Sequence, residues 1–189
     1  MKRTILVAGP RSSGTRLMTR ILVESGCFGD FTHNQRMDAF DIGFPTLNSE
    51  MPPYDMAELM EESKPYDFAV IRRSYPHGAG FADVVALRES LTKHGFYLDT
   101  ALWMFRNPDA NAKSMLNQGH VATIEDARAS VKEALNHLPS ILISEVALYA
   151  VEFANLIQPP YVKRLLERAD IALTPKSDFV FDADSKHLQ

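Results

Sequence analysis

A chain of 189 residues can bury a full core as a single domain, 1–189, without disulfide or metal staples. With 46% hydrophobic and 23% charged residues it has the balance of an ordinary soluble globular protein, and its one cysteine, Cys27, excludes an intrachain disulfide and points to a reducing, cytoplasmic compartment. A net charge of −4 argues against a nucleic-acid partner, and no uncharged apolar run approaches the roughly 18 residues of a membrane span.

The N-terminus "MKRTILVAG" starts like a signal peptide, but its apolar run is short and ends in Gly-Pro-Arg without a cleavage site. "TILVA" (Thr4 to Ala8) instead predicts a strand covered on both faces in a parallel sheet. After a Gly/Ser-rich turn, Leu17, Met18, Ile21 and Leu22 fall on one helical face, with Gly26 as the stop. From Phe28 to Pro53 the pattern dissolves into Gly, Pro, Asn, Asp and aromatics, an irregular excursion of the kind that carries substrate contacts. Asp55 to Ser63 reads as a short helix with Asp55 and Glu58 at capping-box spacing, and "DFAVI" (Asp67 to Ile71) as a second strand. Phe81 to His94 predicts a helix ended by Gly95, and "LDTALWMF" (Leu98 to Phe105) a third strand. Asn107-Pro108 then starts a helix, with proline at its first position. From Thr123 onward Ile124, Ala127, Val131, Leu135 and Leu138 form a helical stripe. "SILIS" (Ser140 to Ser144) is predicted as a fourth strand, followed by helix to about Arg168 and a brief "FVF" strand near the end. Strands alternating with helices predict an α/β fold: a three-layer parallel sheet with helices on both faces and right-handed crossovers.

The turn carries the first chemical signal. Gly9 and Gly14 are spaced as in G-x-x-x-x-G-K-[ST], the loop whose backbone N–H groups cradle nucleoside triphosphates. The next two residues are Thr15 and Arg16, so the lysine is missing and the hydroxyl has moved forward. An N–H cradle and a helix N-terminus are retained, which suits an anion but not a magnesium-bound γ-phosphate. No acid precedes Glu24, whereas Lys2, Arg3, Arg11, Arg16 and Arg20 are basic; a mildly acidic chain thus gathers positive charge around this turn. A second signal is "RNPDANAKS": Arg106 ends a buried strand, and Ser114 lies on the following helix. An arginine at a strand end of an α/β sheet presents a planar fork to a phosphate or sulfate.

Together the two segments resemble those of the sulfotransferases that use 3′-phosphoadenosine 5′-phosphosulfate. In that family a strand–loop–helix of the form G-x-P-[RK]-S-G-T-T holds the 5′-phosphosulfate, and R-[DN]-P-x-x-x-x-x-S on a later strand and helix holds the 3′-phosphate. Here the first is "GPRSSGTRL" and the second "RNPDANAKS", with the spacing between Arg106 and Ser114 kept. "ILISEVALYAVEFANL" is similar to the family's strand-then-acidic-helix region. The resemblance implies a P-loop nucleoside-triphosphate-hydrolase-like fold and 3′-phosphoadenosine 5′-phosphosulfate as co-substrate. It also implies contacts from Arg11, Ser12, Ser13, Gly14, Thr15, Arg16, Arg106 and Ser114. Pro10 and Arg11 sit one place earlier than in the family pattern, and Arg16 replaces its second threonine, so either Arg11 or Arg16 meets the 5′-phosphate.

Sulfuryl transfer also needs a base for the acceptor hydroxyl or amine. "VIRRSYPHG" resembles the family's K-T-H-x-P segment, with Arg72 at the lysine, Pro76 at the proline and Ser74 at the histidine. His77 lies just beyond and can substitute; His33, close to Gln35 and Asp38 in "THNQRMD", is the rival. Arg72 and Arg73 are read as substrate or sulfate contacts, or as partners in a strand-end salt bridge. The expected activity is transfer to a small-molecule or carbohydrate acceptor, with no metal. A nucleotide or metabolite kinase and a catalytically silent nucleotide-binding module are the alternatives.

Overall fold

Lys2–Pro10 forms the first strand (β1), buried from Thr4 to Pro10 because it is paired on both edges and covered on both faces. The computed structural model describes residues 1–29, 56–75 and 84–175. Along the chain β1 is followed by helix α1 (Thr15–Glu24), α2 (Met56–Ser63), β2 (Phe68–Tyr75), α3 (Val84–Lys93), β3 (Phe96–Phe105) and α4 (Pro108–Asn117). Then come α5 (Ile124–Leu135), α6 (Leu138–Ile143), β4 (Ala147–Glu152), a single 3₁₀ turn (Phe153–Asn155) and α7 (Pro159–Arg168). The four strands are all parallel, in the order β2-β1-β3-β4. Phe28 extends the pairing by one residue beyond β2, donating to Phe68 O at 2.8 Å and accepting from Val70 N at 3.0 Å.

Successive side chains of a strand face opposite ways, and β1 shows it plainly. Ile5 and Val7 pack with Met18, Ile21 and Leu22 of α1 and Val162, Leu165 and Leu166 of α7. Leu6 and Ala8 pack the other way, with Val84, Leu87 and Leu91 of α3, Ala134 of α5 and Ile141 of α6. The sheet is therefore an α/β core with helices against both faces. α4 and α5 share a smaller cluster of their own through Ala112, Met115, Ala127 and Val131. Among the described residues no helix is long and apolar enough to cross a membrane.

Two predicted elements are corrected. "SILIS" is not the fourth strand; it belongs to α6, and β4 is "ALYAVE", inside the stretch predicted as helix. A run of three apolar residues satisfies either state. Here Pro139 supplies a first-turn residue that needs no donor, and Ser144 Oγ donates to Ile141 O at 2.6 Å to finish the helix. Glu145, at φ +59°, turns the chain into β4. As the last described strand of its edge, β4 is only partly covered. The predicted "FVF" strand, Asp55 and residues 81–83 lie outside the described residues.

Candidate functional site

The loop between β1 and α1 is bound to the sheet by its backbone. Arg11 N donates to Tyr75 O of β2 at 3.0 Å, and Ser13 N donates to Pro10 O at 3.1 Å. Ser12 adopts φ +60° and Gly14 φ +99°, so the loop reverses tightly. At Gly14 a Cβ would run into the ring of Phe153, and no side chain caps α1, because Gly14 has none to offer. Of the other described helices, α4 and α5 are capped by a side chain, whereas α6 and α7, like α1, start with neither a side-chain cap nor a first-turn acid. Asn107 accepts from the N–H groups of Asp109 and Ala110 at the start of α4, and Thr123 accepts from Asp126 N at the start of α5. Both carry acids in the first turn, whereas α1 carries none. The positive end of α1 is left uncompensated by its own sequence.

Beneath that helix end lie two orphaned hydroxyls. Ser13 is fully buried and Ser12 Oγ is enclosed, and neither oxygen has a hydrogen-bond partner. An unsatisfied buried polar group costs on the order of 1–3 kcal/mol, so a protein keeps one where something else completes it. Thr15 is occupied instead: its Oγ1 lies 2.9 Å from Ser74 Oγ, and Ser74 is in register with Gly9.

The second segment meets the first through a residue that sequence reasoning did not single out. Phe153, directly after β4, lies against Gly14, and the Arg106 guanidinium carbon sits 4.6 Å from its ring centroid. The ring thus holds a cation at the end of β3 next to the loop after β1. Ser114, two turns into α4, accepts from Gln118 Nε2 at 2.9 Å, and Gln118 Oε1 lies 3.1 Å from His120 Nε2. Partial enclosure of the imidazole, and then the positive charges of Arg11 and Arg16, push the His120 pKa below its ordinary value. The end of α4 therefore lies within electrostatic reach of Arg11 and Arg16.

Topology explains why these segments converge. β1 leads to β2 on one side and β3 leads to β4 on the other, so the connection reverses direction between β1 and β3. In open parallel sheets the crevice beyond the strand ends at such a reversal is where ligands bind. Its two walls here are the Gly9–Thr15 loop and the Arg106–Asn107 turn.

Of the residues expected at the site, Arg11, Ser12, Ser13, Gly14 and Thr15 lie in the first wall and Arg106 in the second, while Arg16 is in the first turn of α1 and Ser114 is two turns into α4. Arg72 is buried within β2, in register with Val7 and two residues before Ser74, on the sheet face that α1 covers. His33 and His77 lie outside the described residues. The basic cluster counted from the sequence is corrected. Lys2 and Arg3 sit at the far end of β1, where Arg3 pairs with Asp99 at 2.8 Å and Asp170 at 3.2 Å, and Arg20 pairs with Glu24 at 3.2 Å. Only Arg11 and Arg16 of the five remain with the loop. Gln118 could have been found from sequence, since it is one helical turn beyond Ser114 on the same face; Phe153 carried no such signal. No protein-family model matches the chain, and comparison with curated proteins gives no significant match.

Proposed function

We propose that this chain is a sulfotransferase-like enzyme of P-loop-type fold. It would move the sulfuryl group of 3′-phosphoadenosine 5′-phosphosulfate to a hydroxyl or amine of a small-molecule or carbohydrate acceptor. The observation that carries the reading is the crevice between β1 and β3. One wall offers an uncapped helix end above two unpartnered buried hydroxyls, and the other offers Arg106 and Ser114. Two anion sites on opposite walls fit a nucleotide that carries phosphate on both the 5′ and the 3′ oxygen.

On the first wall the free backbone N–H groups at the start of α1, Ser12, Ser13 and Arg11 or Arg16 would hold the 5′ group. As that group leaves, negative charge builds on it, and donors already in place stabilise the charge without reorganising. On the second wall Arg106, seated on the Phe153 ring, would bind the 3′-phosphate, and Ser114 would add a hydroxyl. The acceptor's proton needs a base, expected at His77 or His33. A triphosphate kinase fits these residues less well: lysine is missing after Gly14, and the Thr15 hydroxyl is bonded to Ser74.

Calorimetry with adenosine 3′,5′-bisphosphate and adenosine 5′-monophosphate tests the reading, because the two differ only in the 3′-phosphate. A charge-assisted hydrogen bond is worth about 1.5–3 kcal/mol, so the bisphosphate should bind at least about tenfold more tightly, independent of magnesium. Arg106→Ala should erase most of the preference and Arg106→Lys should restore only part. Equal affinities for the two nucleotides in the unmutated protein would refute the assignment.

A further inference from the structure

We propose that Gln118 and His120 are positioning residues that set the direction of the Ser114 hydroxyl, turning its proton into the crevice for a bound anion; this rests on the nucleotide site proposed above. The argument follows from which atoms can donate. Gln118 Nε2 can only donate, so at 2.9 Å from Ser114 Oγ it occupies a lone pair of the serine and leaves the serine proton for another acceptor. The same amide has its oxygen 3.1 Å from His120 Nε2, and an amide oxygen can only accept. With the amide in this orientation, His120 carries its proton on Nε2. The polarity runs one way: His120 to Gln118, Gln118 to Ser114, Ser114 outward.

This arrangement departs from the usual habit of a helical serine, which bonds back to a carbonyl of its own preceding turn. Ser114 instead takes its hydrogen bond from one turn ahead, and Gln118 and His120 are exposed, so the chain is not built for packing. His120 stands close enough to Arg11, from the loop, and Arg16, from α1, for their charges to disfavour its cationic form. An anion bound between those arginines screens them and lets His120 take up a proton. Its Nε2–H still donates to Gln118, so the direction of the chain is preserved while a further positive charge joins the site.

The test is the preference for adenosine 3′,5′-bisphosphate over adenosine 5′-monophosphate, measured by calorimetry. Gln118→Met removes both donor and acceptor and should lower the preference by about threefold to tenfold, the range of one modest hydrogen bond. Gln118→Glu, whose carboxylate can only accept, should turn the serine proton inward and lower it further. In a Ser114→Ala background Gln118→Met should have no further effect, since the chain would have nothing left to orient. The bisphosphate affinity of the unmutated protein should rise relative to His120→Gln as pH falls from 8 to 6. Nitrogen chemical shifts should show His120 in the Nε2–H form before ligand is added. An unchanged preference in Gln118→Met, or effects of Ser114→Ala and Gln118→Met that simply multiply, would overturn the positioning role while leaving the nucleotide site standing. No preference in the unmutated protein would overturn both.

Discussion

Replacing Gly14 with alanine should destabilise the fold by a large fraction of its total, and the structure says how the cost divides. Gly14 adopts φ +99°, ψ +13°, a left-handed conformation that costs an L-residue about 1–2 kcal/mol. The new methyl group would also run into the Phe153 ring, with Cε2 at 3.0 Å and Cγ at 3.5 Å from the Cβ position. Forcing an extra methyl group into packed surroundings costs about 1–3 kcal/mol. Together these predict a loss of about 2–5 kcal/mol, against a typical total of about 5–15 kcal/mol. Urea denaturation followed by the fluorescence of Trp103, the chain's single tryptophan and itself buried, measures it directly. Phe153→Leu makes room for the methyl group but cannot relieve the backbone. The double mutant should therefore recover about 1–2 kcal/mol relative to the sum of the single changes. A loss below about 0.5 kcal/mol for Gly14→Ala, or no coupling to Phe153, would refute both the conformation of the loop and its contact.

Ser13→Ala removes a buried hydroxyl that has no partner, so it should leave the unliganded fold as stable or more stable, by up to about 1 kcal/mol, while weakening nucleotide binding; a substantial loss of melting temperature without ligand would contradict it. Asn107→Ala should cost about 0.5–2 kcal/mol in thermal melts, because Asn107 accepts from two N–H groups of α4, and Asn107→Asp should keep most of that. Burial holds the His137 pKa below its ordinary value, outweighing the opposing charge of Glu133, with the ring stacked on Tyr75 at 5.4 Å. Because the unfolded chain binds that proton more readily, the contribution of neutral His137 is present above about pH 6.5 and lost as pH falls through the lower folded-state value. Melting curves of the unmutated protein and His137→Gln from pH 8 to 5 should diverge in the acid limb, and parallel curves would exclude the effect.

Legibility in the sequence followed the physics of each element. β1 could be read because a strand covered on both faces needs an unbroken apolar run, and the start of α4 because Asn-Pro carries a cap and a first-turn residue together. α6 and β4 were interchanged because burial alone does not distinguish a short helix from a short strand. The deciding features were Pro139, the Ser144 bond and pairing with β3, and the pairing is long-range. At the site, glycine spacing revealed the loop, since Gly14 must adopt a conformation that other residues resist. Counting charge along the chain misled, because a strand rises about 3.3 Å per residue and carries Lys2 and Arg3 well away from the loop. Phe153 stayed hidden because its role is a contact across more than a hundred residues of chain.

What the missing lysine leaves behind bears on which anion the site is built for. A lysine after Gly14 would extend one flexible positive charge along a chain of phosphates. Here the charges are divided instead: Arg11 and Arg16 flank the loop, and Arg106 is held apart on the far wall by the Phe153 ring. A linear triphosphate puts its charge in one direction and would engage the first wall alone. Under the proposed reading, a ribose phosphorylated on both the 3′ and 5′ oxygens would put charge in two directions and engage both. The contact of Arg106 with the Phe153 ring adds to this, because a guanidinium held in place loses less entropy on binding and discriminates by geometry as well as by charge. Phe153 also closes over Gly14, so the ring that orients the second wall sets the shape of the first. The two walls therefore meet at one side chain. Under the proposed reading, Phe153→Leu should weaken the bisphosphate more than the monophosphate even though it carries no charge, because it releases the Arg106 fork.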